Sequence, residues 1–329
     1  MSRPAGCIRL DRGTAQTMSK RFIGARQTTI AREIELQGKG VHSGAPVSVV
    51  LHPAGPNTGL KFLVSKRGRI IAEIPAEVGY VKNLTLCTVI GDDSGVSVGT
   101  VEHLLAALRG LSVDNCYIEI DSKEVPIMDG SSAPFVNAID QCGIRELPEP
   151  RKYIKVLKPI RVEDGESWGE LTPHSSFHLD VEICFETPVI GQQRLAFDIN
   201  PGVFRHELAI ARTFGFMHDV EKLWKAGLAL GASLDNTIAI GDDRILNREG
   251  LRCPMEFVRH KMLDAVGDLA LAGYPLLGAY RSVRGGHRLN ANVLKALFAD
   301  ASAWTLAQAP RVREPFLRVP EAIAVAAGE

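Results

Sequence analysis

The chain has 329 residues, 45% of them hydrophobic, which is enough for two domains that each bury a core of their own. Its 38 Lys and Arg residues balance its 38 Asp and Glu residues, so the chain lacks the overall positive charge of many nucleic-acid-binding proteins. The longest uncharged, largely apolar run covers residues 269–280, which is too short to span a bilayer as a helix. The composition therefore argues against a nucleic-acid partner and against a transmembrane segment.

Residues 1–26 are rich in Arg and Lys but lack the apolar stretch of a secretory signal. We predict that they form a poorly ordered N-terminal extension. The six cysteines contain no C-x-x-C pair, so we interpret them as small buried side chains rather than a disulfide framework or a zinc knuckle. This usage is typical of a reducing compartment and predicts a cytoplasmic protein.

Each half of the chain mixes strands with about two helices. Before residue 147 we predict strands over 47–51 and 116–120, a helix over 100–110 and a short helix over 135–141. After it we predict strands over 153–157 and 177–185 and helices over 257–269 and 290–299. This pattern favours an α+β fold with sheets packed on helices.

The segment 146–150 is the best candidate for a linker, because it contains two prolines within three residues and is bounded by charge. We therefore predict an N-terminal α+β domain over 27–147 and a C-terminal α+β domain over 148–305. Residues 306–329 are predicted to form a C-terminal tail.

The helix predicted over 100–110 has Thr100 as a candidate N-cap and Gly110 as a candidate stop. Glu102 in its first turn suits the helix dipole, which is the simplest explanation for a carboxylate there. His103 beside it suggests a second explanation for Glu102, in which the imidazole of His103 binds a metal and Glu102 acts as a base.

The helix predicted over 257–269 carries His260, Lys261, Asp264 and Asp268 within roughly 100° of one another, at about 3.6 residues per turn. An imidazole and a carboxylate four residues apart can share one metal ion. Alternatively, these side chains form a solvated charged face with ordinary ion pairs.

The two helices together offer His103, His260 and Asp264 as ligands, with a fourth position open to water. Three protein ligands and an open position are typical of catalytic zinc, whereas structural zinc sites are usually closed and rich in cysteine. The two helices also share a Val-x-His pattern, which suggests two related halves that meet at one site.

These two helices belong to a series of six motifs between residues 28 and 300. The motifs are 38–44 (GKGVHSG), 100–108 (TVEHLLAAL), 125–131 (VPIMDGS), 211–216 (ARTFGF), 257–268 (FVRHKMLDAVGD) and 286–290 (GHRLN). In this order and spacing, the chain resembles the UDP-3-O-acyl-N-acetylglucosamine deacetylase family, the zinc amidohydrolases of lipid A biosynthesis in Gram-negative bacteria.

The resemblance implies two related α+β domains in a sheet–helix–helix–sheet sandwich, with the site at the domain interface. It implies one catalytic Zn²⁺ per chain, held by His103, His260 and Asp264. The implied reaction is hydrolysis of the N-acetyl group of UDP-3-O-(3-hydroxyacyl)-N-acetylglucosamine, which releases acetate and the free amine in the committed step of the pathway.

The resemblance also assigns catalytic roles to four further residues. Glu102 is the base that takes a proton from the attacking water, and Thr213 hydrogen-bonds the developing oxyanion. His287 protonates the departing amine and Asp268 orients His287. Without the neighbouring motifs, Thr213 would be interpreted as a turn hydroxyl and His287, in a Gly-Gly-His loop, as a surface histidine. The family more often has Ser-Gly-His at this loop.

Substrate contacts follow from the same resemblance. Lys261 corresponds to a lysine that meets the UDP diphosphate, and Phe214 to an aromatic residue that contacts substrate, although a lone Phe is more often part of a core. An insert near 215–243, which includes the apolar stretch 223–234 and Leu228, corresponds to a passage for the acyl chain. The implied partner is thus a small UDP-acyl-sugar, with at most peripheral membrane contact and no obligate protein partner.

Two other classes of protein stay open at this point. A paralogue that binds a sugar nucleotide or lipid without turnover would be expected to lose a ligand or the base, and this chain keeps both. A zinc amidohydrolase for a simpler N-acetyl sugar would need neither Lys261 nor the insert.

Overall fold

The computed structural model describes residues 25–309 of the chain. They form a mixed α+β fold with several sheets and six helices, as the sequence predicts. Nearly all of the predicted N-terminal extension and residues 310–329 lie outside the described residues. None of the helices between residues 25 and 309 is both long and apolar enough to cross a membrane.

Ten strands belong to the first half of the described chain. They are β1 (Arg26–Ile30), β2 (Ile34–Lys39), β3 (Pro46–Pro53), β4 (Leu60–Lys66), β5 (Arg69–Pro75), β6 (Val81–Asn83), β7 (Val89–Gly91), β8 (Ser97–Val98), β9 (Cys116–Ile120) and β10 (Ile144–Pro150). Nine belong to the second half. They are β11 (Lys152–Val156), β12 (Ile160–Asp164), β13 (Ser167–Thr172), β14 (Phe177–Cys184), β15 (Gln192–Asp198), β16 (Phe214–Phe216), β17 (Ile238–Ile240), β18 (Leu276–Val283) and β19 (Trp304–Gln308).

The helices are the elements that carry most of the predicted site. They are α1 (Glu102–Gly110), α2 (Ala133–Cys142), α3 (Pro201–Val203), α4 (Met217–Lys225), α5 (Glu256–Leu269) and α6 (His287–Ala299), with a 3₁₀ turn at Val78–Tyr80 and a π-helical turn at Phe204–Leu208.

The first large sheet has the strand order β2–β3–β9–β4–β5. Its central strand β9 is antiparallel to β3 and parallel to β4. Cys116, Ile118 and Ile120 are completely buried while the two residues between them are half-buried, which is the alternation expected of a strand with one face on the core. A separate three-stranded sheet, β6–β7–β8, lies between β5 and β9 in the chain.

The second large sheet contains seven strands around β18. β13 is antiparallel to β18, while β11 and β14 are both parallel to it and pair with successive segments of it. β19 pairs with β11. Residue 305, the predicted end of the C-terminal domain, lies inside β19.

The segment predicted as a linker, 146–150, is part of β10, which pairs with β1 so that Ile144 lies opposite Ile30. Its two prolines are compatible with a strand because β10 pairs on only one side, so a missing N–H removes no essential hydrogen bond. The chain thus passes between the two large sheets through a paired strand. The domain division at residue 147 itself remains a prediction.

All four helix predictions can be compared with the observed bounds, and α1 and α6 correspond to the helices predicted over 100–110 and 290–299. The helices predicted over 135–141 and 257–269 are confirmed by α2 and α5. The predicted N-cap of α1 is wrong: Val101 occupies that position, and the Thr100 hydroxyl instead donates to Glu124 Oε1 at 3.0 Å. The prediction that His287 lies in a loop is also wrong, because α6 begins at His287.

α1 and α5 pack directly against each other, and α5 and α6 pack against strands of the second sheet. At their contact, a Cβ atom on Gly267 would lie only 2.0 Å from the carbonyl oxygen of Glu102. The two backbones can therefore approach this closely only because residue 267 is glycine. This contact brings the first turn of α1, with Glu102 and His103, against the polar face of α5.

Candidate metal and catalytic site

The structure brings His103, on α1, together with His260 and Asp264, on α5. Their ligand atoms all lie within 4.8 Å of one another, and all three residues are buried. Asp264 Oδ1 is 3.3 Å from His260 Nε2 and 3.5 Å from His103 Nε2. Ligand atoms about 3.3 Å apart are expected around a tetrahedral zinc ion with bonds of about 2.0–2.1 Å. The predicted ligand set is thus already assembled at separations suited to one ion.

The protonation state of His260 fits a metal ligand. His260 Nδ1 lies 3.1 Å from the carbonyl oxygen of Ala211, which can only accept, so Nδ1 must carry the proton. This leaves the Nε2 lone pair directed at the cluster. Burial, the largest influence, lowers the pKa of His260 to about 3, so the ring is neutral near pH 7.

Asp264 shows the clearest sign that a cation belongs at this site. Asp264 Oδ1 is buried, and no residue between 25 and 309 donates a hydrogen bond to it. Burial tends to raise the pKa of Asp264, but neighbouring groups, among them the Lys261 ammonium group, outweigh it and hold the pKa well below its usual value. A buried carboxylate oxygen without a donor is costly, and a metal ion bound there would remove that cost.

Lys261 lies at the edge of the cluster. Its Nζ donates to Asp264 Oδ2 at 2.8 Å and lies 5.6 Å from the centre of the Phe214 ring. Burial lowers the pKa of Lys261, but the Asp264 carboxylate outweighs burial and raises it, so the ammonium group stays charged. The Phe214 ring in turn contacts His260 and Phe257, with centroid distances of 6.2 and 5.1 Å.

Glu102 is buried beside the cluster, with only 3% of its surface exposed. Its Oε2 accepts a hydrogen bond from the backbone N–H of Thr88 at 3.1 Å. Its Oε1 lies 3.8 Å from His287 Nε2. Burial raises the pKa of Glu102 above its usual value, although His287 counteracts this. A carboxylate whose pKa is raised in this way is better suited to accept a proton.

His287 is oriented by Asp268. The two are joined by a 2.8 Å hydrogen bond from His287 Nδ1 to Asp268 Oδ2, so His287 Nε2 faces Glu102. Burial lowers the pKa of His287, but Asp268 and Glu102 outweigh burial and raise it to about 9. The imidazole is therefore protonated at neutral pH and can act as a proton donor.

Three residues at this site were not predicted from the sequence. The Thr88 hydroxyl donates to Asp268 Oδ1 at 2.6 Å, and Asn290 Nδ2 donates to Asp268 Oδ2 at 2.8 Å. The Tyr280 hydroxyl donates to Asn290 Oδ1 at 2.6 Å. Asn290 lies three residues after His287, a spacing that places both on one face of α6 and that could have indicated it.

The other predicted site residues lie in and beside the insert. Thr213 is half-buried next to Phe214, and its backbone N–H donates to Gly130 O at 2.8 Å. Leu228 is half-buried and follows α4, after which the backbone N–H groups of Leu230 and Gly231 donate to the carbonyl oxygens of residues 42 and 41. Two backbone hydrogen bonds thus attach the insert to the loop 40–44. No hydrogen bond among the described residues joins Leu228 to the metal cluster.

An open groove with a volume of about 640 Å³ reaches His287 from the surface. Its cationic lining residues are Lys82, Arg284, Arg288 and Lys295. Three of them are paired with carboxylates, Lys82 with Asp93, Arg284 with Glu166 and Arg288 with Asp164. Of the predicted site residues, His287 alone is among the residues that line this groove.

Comparison with known proteins gives one family. A model of the family described as UDP-3-O-acyl N-acetylglycosamine deacetylase matches residues 27–299, a span that includes the metal cluster, Glu102 and His287. The chain is 50% identical over 288 residues to the UDP-3-O-acyl-N-acetylglucosamine deacetylase of Brucella ovis, covering 87% of this chain and 100% of that relative. The protein of the same name from Brucella melitensis biotype 2 is also 50% identical over 288 residues, with the same coverage. The chain therefore belongs to the UDP-3-O-acyl-N-acetylglucosamine deacetylase family.

Proposed function

We propose that this protein is a zinc-dependent deacetylase that hydrolyses the N-acetyl group of UDP-3-O-(3-hydroxyacyl)-N-acetylglucosamine. The reaction adds water across the amide bond and yields acetate and the free amine, the committed step of lipid A biosynthesis. The observation that carries the proposal is the pair formed by Glu102 and His287, 3.8 Å apart beside the His–His–Asp cluster. Amide hydrolysis needs both a base and an acid at one centre. The names of the relatives supply the substrate.

We assign one Zn²⁺ per chain to His103, His260 and Asp264, because two imidazoles and one carboxylate form a three-ligand set of the catalytic kind. When bound, the ion polarises the amide carbonyl and makes the attacking water more acidic. Two observations support this assignment. Asp264 Oδ1 accepts no hydrogen bond from the described residues, and the Nε2 atom of His260 keeps its lone pair because the proton is on Nδ1.

The chain's own residues then move the protons. Glu102 accepts a proton from the water as the water oxygen attacks the carbonyl carbon. His287, protonated on both nitrogens and held through Nδ1 by Asp268, donates its Nε2 proton to the amine nitrogen as the C–N bond breaks. We assign the hydroxyl of Thr213 to hydrogen-bond the carbonyl oxygen as it gains negative charge.

We place the diphosphate of the substrate near Lys261. A charged ammonium group is well suited to phosphate, and Lys261 keeps its charge through Asp264. The Phe214 ring, beneath the Lys261 ammonium group, would contact the sugar nucleotide at the same edge of the site.

We place the acyl chain along the insert. The insert exposes Trp224, Leu230 and Leu234 at 58%, 55% and 50%, an unusual amount of large apolar surface for one short segment. Burial of an acyl chain against Leu228 and its neighbours would contribute up to about 0.8 kcal/mol per CH₂ group. The insert thus offers an apolar surface to the lipid end of the substrate.

We also propose a cytoplasmic location, with at most peripheral membrane contact. The support is the composition of the chain, whose six cysteines contain no C-x-x-C pair. The balanced charge argues against a nucleic-acid partner, and we propose that the enzyme needs no obligate protein partner.

Removing the 3-O-acyl chain from the substrate should lower kcat/KM by orders of magnitude. Ten carbons represent about 8 kcal/mol of transfer free energy, of which the ordering of the chain offsets a large part. Acetate release should be measured with the acylated substrate and with UDP-N-acetylglucosamine. Leu228→Trp should shorten the accepted acyl chain, whereas Leu251→Trp, a partly exposed position outside the insert, should not. Equal rates on the acylated substrate and on UDP-N-acetylglucosamine would contradict this proposal and would indicate a general N-acetyl-sugar deacetylase instead.

A further inference from the structure

The carboxylate of Asp268 is held by more partners than the orientation of His287 requires. Asp268 is only 1% exposed, and its two oxygens accept hydrogen bonds from three different side chains. His287 Nδ1 and Asn290 Nδ2 both donate to Oδ2 at 2.8 Å, and the Thr88 hydroxyl donates to Oδ1 at 2.6 Å. These donors replace water around a buried charge and leave its carboxylate plane little freedom.

Thr88 contacts both halves of the proton-transfer machinery. Its backbone N–H donates to Glu102 Oε2 at 3.1 Å, while its hydroxyl donates to Asp268 Oδ1 at 2.6 Å. Thr88 is completely buried, and it lies immediately before β7 in the small three-stranded sheet. One residue outside both helices thus fixes Glu102, on α1, relative to Asp268, on α5.

Asn290 holds the other oxygen of Asp268 and is itself fixed. The Tyr280 hydroxyl donates to Asn290 Oδ1 at 2.6 Å, which determines which end of the amide faces Asp268. Tyr280 is completely buried in β18, the central strand of the second sheet. Asp268 is therefore anchored to the first half of the chain through Thr88 and to the second half through Asn290 and Tyr280.

We propose that Thr88 is a positioning residue that fixes the base Glu102 relative to the Asp268–His287 pair. Asn290 and Tyr280 fix Asp268 from the opposite side. This inference rests on the proposed function, in which Glu102 and His287 act on the same amide bond. Proton transfer at both ends of one reaction depends on sub-ångström placement, and a misplacement of about 1 Å can cost about 10²-fold in rate.

Thr88→Val tests the proposal because it keeps the shape and the backbone N–H of Thr88 but removes the hydroxyl. We expect kcat to fall about 10- to 100-fold, the usual cost of losing a supporting hydrogen bond, with KM changed less than about twofold. Thr88→Ser restores the hydroxyl and should recover most of kcat. Bound metal should stay at the wild-type level in both variants, since neither touches His103, His260 or Asp264.

Thr29→Val is the matched control. Thr29 is also completely buried and its hydroxyl also makes a hydrogen bond, from Ala54 N at 2.9 Å, but it lies in β1, outside the site. It should lower the melting temperature without changing kcat. Tyr280→Phe is a second variant, should Thr88→Val fail to fold, and it should also lower kcat without changing KM.

A spectroscopic readout makes the test independent of turnover. In protein labelled with ¹⁵N-histidine, the Nδ1–H proton of His287 should give a slowly exchanging NMR signal, identified by its loss in His287→Gln. The signal should exchange faster in Thr88→Val and stay unchanged in Thr29→Val. A wild-type protein that releases no acetate would contradict the proposed function, and this signal would still decide the role of Thr88. Wild-type kcat or an unchanged signal in Thr88→Val, or an equal loss of kcat in Thr29→Val, would overturn the inference.

Discussion

Asp264→Ala protein should be isolated without bound metal, and its kcat/KM should be at least about 10³-fold lower than that of the wild type. The loss follows because a bound cation contributes several kcal/mol to the transition state, and each 1.4 kcal/mol or so is a factor of ten in rate. His260→Ala should have the same effect, since it removes the Nε2 ligand 3.3 Å from Asp264. Metal per chain is measured by elemental analysis, and activity by acetate release.

The fold should survive both substitutions, because the apolar residues of α5, such as Val258 and Met262, remain fully buried. Catalytic metal sites of this kind are built on an existing core rather than forming one. Asp121→Ala, at an exposed loop position outside the insert, is the control and should keep both metal and activity. Full metal occupancy in Asp264→Ala and His260→Ala would contradict the ligand assignment.

Activity plotted against pH should be bell-shaped, with its two limbs governed by Glu102 and His287. The base must be deprotonated, so activity is lost as the pH falls through the pKa of Glu102, which burial raises above its usual value. The acid must be protonated, so activity is lost as the pH rises through the pKa of His287, which Asp268 and Glu102 raise to about 9 against the effect of burial. A metal cation bound beside them would lower both values, so the basic limb should lie at or below about pH 9.

Each substitution should remove one limb of the profile. Glu102→Ala should abolish the acidic limb and His287→Ala the basic limb, each with a rate loss on the order of 10²–10⁴. Because the two groups lie 3.8 Å apart, each limb belongs to the coupled pair, and removing one group should also shift the remaining limb. Turnover near the wild-type level in either variant would mean that a different group transfers the proton.

The sequence predicts the grouping of His103, His260 and Asp264 because these side chains lie on two strongly periodic helices. The spacing of His260 and Asp264 places both on one face of α5, and that face is where the structure finds them. What periodicity cannot predict is the distance between α1 and α5. That distance depends on Gly267, where any side chain would meet the backbone of Glu102.

The residues that the sequence did not reveal are those whose role depends on contacts between distant segments. Thr88 and Asp268 are separated by 180 positions, and no local pattern at Thr88 distinguishes it from other buried threonines. The strand β10 was predicted as a linker because its prolines usually end regular structure, but they are tolerated in a strand that pairs on one side only. The Gly-Gly before His287 suggested a loop, whereas α6 begins at His287 itself.

The most direct test of the metal-dependent mechanism is to strip the protein of metal with a chelator, remove the chelator and add Zn²⁺ back in steps. Acetate release from UDP-3-O-(3-hydroxyacyl)-N-acetylglucosamine should be absent in the metal-free protein. It should return in proportion to added Zn²⁺ and level off at one ion per chain, because His103, His260 and Asp264 form a single ligand set among the described residues. Acetate release by the metal-free protein at the rate of the reconstituted enzyme would contradict the account.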